Sequence, residues 1–221
     1  MKRRCLSLAL LLTIGIPRSS AWYITAPRTN EDWRDLSRVV ADSFEAPDMN
    51  DSWLERAKWL TFERELSTMN VYRQFTRNAR KLRGKKYAIF LVKEWGEALG
   101  VVELGMKLQG GQPCPTIGMI CVDSRHRGKG IAKALVQHCE TIVSTRWLEK
   151  EFFAEVEETN ESALRMFESL GFEVCSGGTV AVEVREGFRV QKRDHLRLSK
   201  SVDVAPVDES VGSMRESSFG D

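Results

Sequence analysis

The sequence predicts a single α/β domain with the element order β-α-α-β-β-β-α-β-α-β-β. Three observations carry this. Runs rich in β-branched and aromatic residues alternate with stretches of helical periodicity between residues 22 and 200. One strand-like run ends in the turn RHRGKG, Arg125 to Gly130, which opens an amphipathic helix. Further on, Asn160 caps a helix that closes at Leu170-Gly171, with glycine at the expected C-terminal position.

Taken in order, Tyr23-Ile24-Thr25 reads as a short first strand. Thr29 or Asn30 caps a helix whose first turn holds Glu31 and Asp32, charges that suit the positive end of the helix dipole. Leu36, Val39, Val40 and Phe44 supply its apolar face, and Ala46-Pro47-Asp48 breaks it. From Trp53 to Leu82 the pattern is helical, as two helices. Trp53, Ala57 and Leu60 share a face, which Leu66, Met69, Tyr72, Phe75, Ala79 and Leu82 continue. The segment Arg73 to Lys86 carries seven basic residues and no acid, which fits a solvated helix face or an electrostatic site for an anionic ligand or peptide.

Strands are expected at Tyr87–Val92, Gly100–Leu104 and Thr116–Val122, then a helix from Gly128 to about Val143 bearing Ile131, Ala134, Leu135, His138 and Ile142 on one face. Phe152–Glu157 is the next strand. The last sheet segments begin at Phe172-Glu173-Val174 and continue in Val180–Val184 and His195–Leu198.

Composition narrows the function classes. The chain of 221 residues is 42% hydrophobic and 29% charged, as a globular protein is. Residues 22–200 hold 28 basic and 26 acidic side chains, a balance that argues against a dedicated nucleic-acid binder. Residues 1–21 read as a signal peptide: MKRR, the apolar run CLSLALLLTIGI, then PRSSA with small residues at a cleavage site. The apolar run is too short for a stable membrane span. SSAWYITAP around the cut resembles the bipartite presequences of algae with complex plastids, which implies a plastid, with the secretory pathway as the alternative. Residues 201–221 read as a disordered acidic tail. Cys114, Cys121, Cys139 and Cys175 form no CxxC pair and are expected as buried thiols. No metal-ligand spacing exists. His126 is expected to be exposed and His138 to sit at the core boundary.

The turn at 127–130 decides the class. A glycine-rich turn between strand and helix aims backbone N–H groups at one place, and the helix dipole adds positive charge there. That binds phosphate or pyrophosphate. A P-loop needs lysine followed by Ser or Thr, and Lys129 is followed by Gly130. A dinucleotide fingerprint needs a third glycine where Lys133 stands. A basic surface loop is the remaining plain alternative.

RGKGIA, Arg127 to Ala132, is similar to the R/Q-x-x-G-x-G/A signature of the GCN5-related N-acetyltransferase (GNAT) superfamily, with Ile120-Cys121-Val122 matching the strand before it. EVEETNESALRMFESLGF, Glu155 to Phe172, resembles that family's second block. The resemblance covers residues 23–199 and is strongest toward plastid-type and ribosomal-protein-alanine-type members. It implies a mixed central sheet with splayed strands flanked by helices, and acetyl-CoA as cosubstrate. It implies a pyrophosphate cradle at Arg127, Gly128, Lys129, Gly130, Ile131 and Ala132. It also implies Cys121 and Val122 beside the thioester, a Val122 N–H as oxyanion donor, and Asn160 at the cofactor as well as at its helix cap.

Glu155 occupies the position where ribosomal-protein alanine acetyltransferases and their relatives place a base, with Glu103 as the second choice. The acidic position other members use on the preceding strand is Gly118 here. Phe167 stands where the family usually has a tyrosine that protonates the leaving thiolate. The implied acceptor is a protein N-terminus or lysine side chain. A small amine such as a polyamine, or an acyl-CoA-binding module without catalysis, are the alternatives.

Overall fold

The computed structural model describes residues 22–44, 53–58, 60, 63–109, 111–186 and 189–204. The expected signal peptide and the chain beyond residue 204 lie outside these. The elements are β1 (Tyr23–Thr25), α1 (Asn30–Phe44), α2 (Trp53–Lys58), α3 (Arg64–Lys81), β2 (Tyr87–Glu94), β3 (Glu97–Gln109), β4 (Gln112–Val122), α4 (Ile131–Ile142), β5 (Glu151–Glu157), α5 (Glu161–Glu168), β6 (Glu173–Glu186) and β7 (Arg189–Ser201). A 3-10 turn at Ser124–His126 links β4 to the glycine turn, and a π-helical turn at Val143–Trp147 ends α4.

The strands form one open sheet in the order β1-β2-β3-β4-β5-β7-β6. Every pairing is antiparallel except β4 with β5. That parallel pairing follows from the long crossover through α4, since parallel neighbours cannot be joined by a hairpin. The mixed sheet flanked by helices agrees with the sequence.

Alternation along the strands builds two cores. On one face α4 and α5 bury Leu135, Val136, Cys139 and Phe167 against Val102, Leu104, Ile117, Phe152, Ala154 and Phe172. On the other, α1 and α3 bury Leu36, Val39, Val40 and Phe75 against Ile89, Leu91, Val101 and Cys121. From Val101 to Leu104, odd and even positions of β3 therefore serve different layers.

Several expectations are corrected. α3 packs on α1, and at its start Ser67 and Thr68 are buried while Leu66 and Met69 are exposed. Small polar side chains permit the close helix approach, which turns the expected apolar stripe outward there. Phe44 and Leu60 are exposed too. β3 and β4 are longer than their apolar runs, reaching Gln109 and Gln112, because ladder pairing continues past the buried part. Among the described residues only Cys121 and Cys139 are buried thiols; Cys114 and Cys175 are partly exposed. His126 is not exposed but half-buried, its Nδ1 3.7 Å from Asp123 Oδ1. Ser201 still belongs to β7, and Val202 is buried with its N–H donated to the Lys150 carbonyl at 2.8 Å, so the fold runs past residue 200.

At the start of α1, Thr29 is the cap. Its Oγ1 accepts from the Asp32 N–H at 3.1 Å, and Asp32 Oδ2 accepts back from the N–H groups of Thr29 and Arg28 at 2.9 and 2.8 Å. Lys93 on β2 donates to Asp32 Oδ1 at 2.7 Å, tying helix to sheet. Burial alone would raise the Asp32 carboxyl, but Lys93 and the two amides outweigh it and hold the group well below the usual carboxylate range.

A carboxylate lowered in the folded state stabilises above its unfolded value of about 3.9, and that contribution is lost as pH falls below it. Asp32→Asn should therefore cost about 1–3 kcal/mol at pH 7 in urea melts, with the gap to the parent protein closing below about pH 4. A gap independent of pH contradicts the ionic account.

Candidate active site

The site begins where β4 and β5 part. Only two registers pair them, Thr116 with Phe153 and Ile117 with Ala154. Beyond that, β5 stays with β7 through Glu157 and β4 stays with β3 through Val122, so the two strands open into a fork. The register of β3 with β4 shifts at this point, with Glu103 opposite Met119 and Leu104 opposite Ile117, which leaves Gly118 as the bulged residue. A bulge bends its strand away from regular pairing.

Which atoms face the fork follows from strand geometry. The Asp123 N–H donates to the Leu99 carbonyl of β3 at 2.8 Å. Backbone groups alternate sides along a strand, so Val122 and Ile120 direct their N–H and C=O toward the fork, and Cys121 directs its own toward β3. Arg127 Nε donates to the Val122 carbonyl at 3.3 Å, on the fork side. Cys121 thus offers neither amide nor thiol to the fork. Its side chain lies in the α1/α3 core, where burial pushes the thiol up to about 12.

At the open end lies the glycine turn. Gly128 and Gly130 have φ of +76° and +79°, a conformation that non-glycine residues rarely adopt. A Cβ built at either meets nothing within 4 Å, so the space over the turn is open to a ligand. Gly130 is the N-cap of α4 and has no side chain to cap it. The N–H groups of Ile131, Ala132 and Lys133 have no partner inside the helix and form a ready anion site. Lys129 is exposed beside them, whereas Arg125 is tied to Asp123 by its N–H, Nε and Nη2 at 2.9, 3.1 and 2.8 Å.

At the closed end, the α1/α3 face carries the ionisable groups. Glu155 Oε2 accepts from Lys107 Nζ at 2.6 Å, and Arg197 Nη2 is 3.9 Å from Oε1. Arg197 faces Glu155 in register from β7, and its Nε is buried with no hydrogen-bond partner. On the same face Tyr87 Oη donates to Glu103 Oε1 at 2.6 Å. Burial, first, and the Glu103 carboxylate, second, push the Tyr87 phenol far up, so it stays a donor. Glu103 Oε2 is 3.5 Å from where a Cβ of Gly118 would stand.

Asn160 lies beside the fork's β5 arm and caps α5, its Oδ1 accepting from the Ala163 N–H at 3.1 Å. Phe167 is 1% exposed and packs edge-on against Phe172, ring centroids 5.1 Å apart, so its ring belongs to the core. His138 packs edge-on against Phe90, and burial, aided by Arg146, lowers its pKa. Among the described residues no group of His, Cys, Asp and Glu could hold a metal ion, and no helix is long and apolar enough to cross a membrane.

Sequence reasoning singled out Val122, the 127–132 turn, Glu103, Glu155 and Asn160, which the fold sets along one fork. It missed Tyr87, Lys107 and Arg197. The spacing of Glu103 and Lys107, four apart on one strand face, was the available signal; Arg197 required the β5–β7 register.

A family profile described as "Acetyltransferase (GNAT) family" matches residues 40–172. Among solved structures, the fold is similar to the ribosomal-protein-S18-alanine N-acetyltransferase of Escherichia coli (TM-score 0.55, 16% identity, 85% of this chain and 97% of that one). It is similar to a chimeric spermidine N-acetyltransferase from Vibrio cholerae (0.55, 17%, 82% and 96%) and to an N-acetyltransferase from Staphylococcus aureus (0.54, 19%, 82% and 99%). At these identities the likeness is one of fold. No curated protein sequence matches.

Removing the cap should be felt locally. Asn160→Ala is expected to lower stability by about 1 kcal/mol in thermal melts, and Asn160→Asp to restore most of it.

Proposed function

The chain belongs to the acetyltransferase (GNAT) family, and from that premise we propose that it is an acetyl-CoA-dependent N-acetyltransferase acting on a protein amine by direct transfer. The observation that carries the reading is the fork, with unpaired β4 backbone along one arm, an uncapped helix N-terminus at its mouth and two carboxylates at its closed end.

The residues fit the cosubstrate. The amides from Arg127 to Ala132 and the open space over Gly128 and Gly130 suit a pyrophosphate. Acetyl-CoA supplies an activated acyl group whose thiolate is a good leaving group. The Val122 N–H, on the fork side of β4, is the proposed donor to the negative charge that develops on the acyl oxygen. Glu155 is the proposed proton acceptor for the attacking amine, with Glu103, held by Tyr87, on the same face. Lys107 and Arg197 compensate the Glu155 charge until substrate enters. Phe167 carries no proton for the leaving group, so that proton comes from another donor or from water.

The amine class follows from charge and basicity. An α-amine of pKa about 7.7–8.0 is partly neutral at pH 7, whereas freeing a lysine at about 10.4 costs roughly 4.6 kcal/mol. A base at the fork serves both, and lysine more. The cations Lys107 and Arg197 disfavour a polycationic acceptor such as a polyamine, and the unpartnered Arg197 Nε suits a peptide carbonyl oxygen.

Two measurements test this. Glu155→Gln should lower kcat for peptide acetylation by about 10²–10⁴ while acetyl-CoA affinity holds; unchanged turnover sinks its role as base. Gly130→Val should weaken acetyl-CoA at least tenfold by calorimetry, because valine resists positive φ and fills the space above the turn. Tight binding by that variant contradicts the cradle, and binding by the parent protein without turnover of any peptide contradicts the enzyme reading.

A further inference from the structure

The C-terminal half of α3 carries a shallow, solvent-open groove formed by that helix's own side chains, Arg73, Thr76, Arg77, Arg80 and Lys81. Positions 73, 77 and 80 recur at helical spacing, so their guanidinium groups share one side of the helix. Like charges at that spacing repel, and the helix gains nothing from the arrangement by itself. Several other cations are matched: Arg64 with Asp42, Lys86 with Glu149, Lys93 with Asp32, Lys200 with Glu140. Among the described residues Arg73, Arg77, Arg80 and Lys81 make no ion pair.

The basic face lies on the side of α3 away from Phe75, which enters the α1/α3 core, and the helix leads through residues 82–86 into Tyr87 at the start of β2. The Tyr87 hydroxyl reaches Glu103 beside the Gly118 bulge, so the end of α3 is five residues of chain from the acceptor side of the fork.

We propose that this groove binds the acidic arm of a peptide acceptor, a run of Asp or Glu a few residues away from the amine that is acetylated. This rests on the reading of the fork as the transfer site. From Arg73 to Lys81 the helix rises about 12 Å, the length of roughly three or four extended residues. Guanidinium groups take carboxylates with paired N–H donors, so acidic side chains bind here in preference to amides. Acidic acceptors gain affinity, and the chemical step at the fork is unchanged.

The test uses the full chain and two peptides with the same first three residues, one with Asp and Glu at positions 4 to 8 and one with Asn and Gln there. The acidic peptide is expected to show a KM about tenfold lower at equal kcat, with the advantage gone in 0.5 M NaCl. Arg77→Gln with Arg80→Gln should erase the advantage and leave the neutral peptide and acetyl-CoA affinity unchanged. Fluorescence anisotropy of the same peptides reads binding without turnover, so failure of catalysis does not hide the groove. Equal KM and equal binding for both peptides overturns the proposal. So does tighter binding of the acidic peptide only after Asp208, Glu209, Glu216 and Asp221 are changed to amides, which assigns the groove to the chain's own acidic segment. Arg77-dependent binding of a single-stranded RNA oligomer in preference to the acidic peptide overturns it as well.

Discussion

Everything at the site depends on the parting of two parallel strands. After Ile117 and Ala154, β4 and β5 share no further register, while each keeps its pairing on the other side. Backbone N–H and C=O groups are strong hydrogen-bonding groups whose loss to burial is costly. A strand edge opened within a sheet therefore calls for a partner of strand-like chemistry, and an extended arm bearing amides is such a partner. Gly118 permits this geometry: it is the bulged residue, and its missing side chain leaves room for Glu103.

The two cores give the fork its sidedness. α4 and α5 seal one face with aliphatic and aromatic side chains, Phe167 among them. α1 and α3 cover the other only in part, and there Tyr87, Glu103, Lys107, Glu155 and Arg197 gather. One end of the fork is a turn of amides that attracts anions. The other holds ionisable side chains able to manage a proton. The family relation and this division of labour agree, although no single residue enforces both.

Much of this was legible in the sequence because it is local. Gly128 and Gly130 declared positive φ by residue type, Thr29 and Asn160 declared helix starts, and the β-branched and aromatic runs of β2 to β4 declared the sheet. What escaped was set by register. Lys107 reaches Glu155 across β4, and Arg197 meets it only because β7 lies between β5 and β6. The buried face at the start of α3 was misread because Ser67 and Thr68, polar by type, are buried where α3 packs on α1. Cys121 stands in the right strand, yet strand parity turns it away from the fork.

The central claim is that unpaired β4 backbone, and not a basic loop alone, receives the cosubstrate. Residue-resolved amide hydrogen exchange with and without CoA tests it most directly. The account predicts that the Val122 amide exchanges quickly in the free protein and is protected at least tenfold by CoA, together with Ile131 and Ala132, while Cys121, bonded to β3, is slow in both. Saturation with CoA that leaves Val122 exchange unchanged would contradict it.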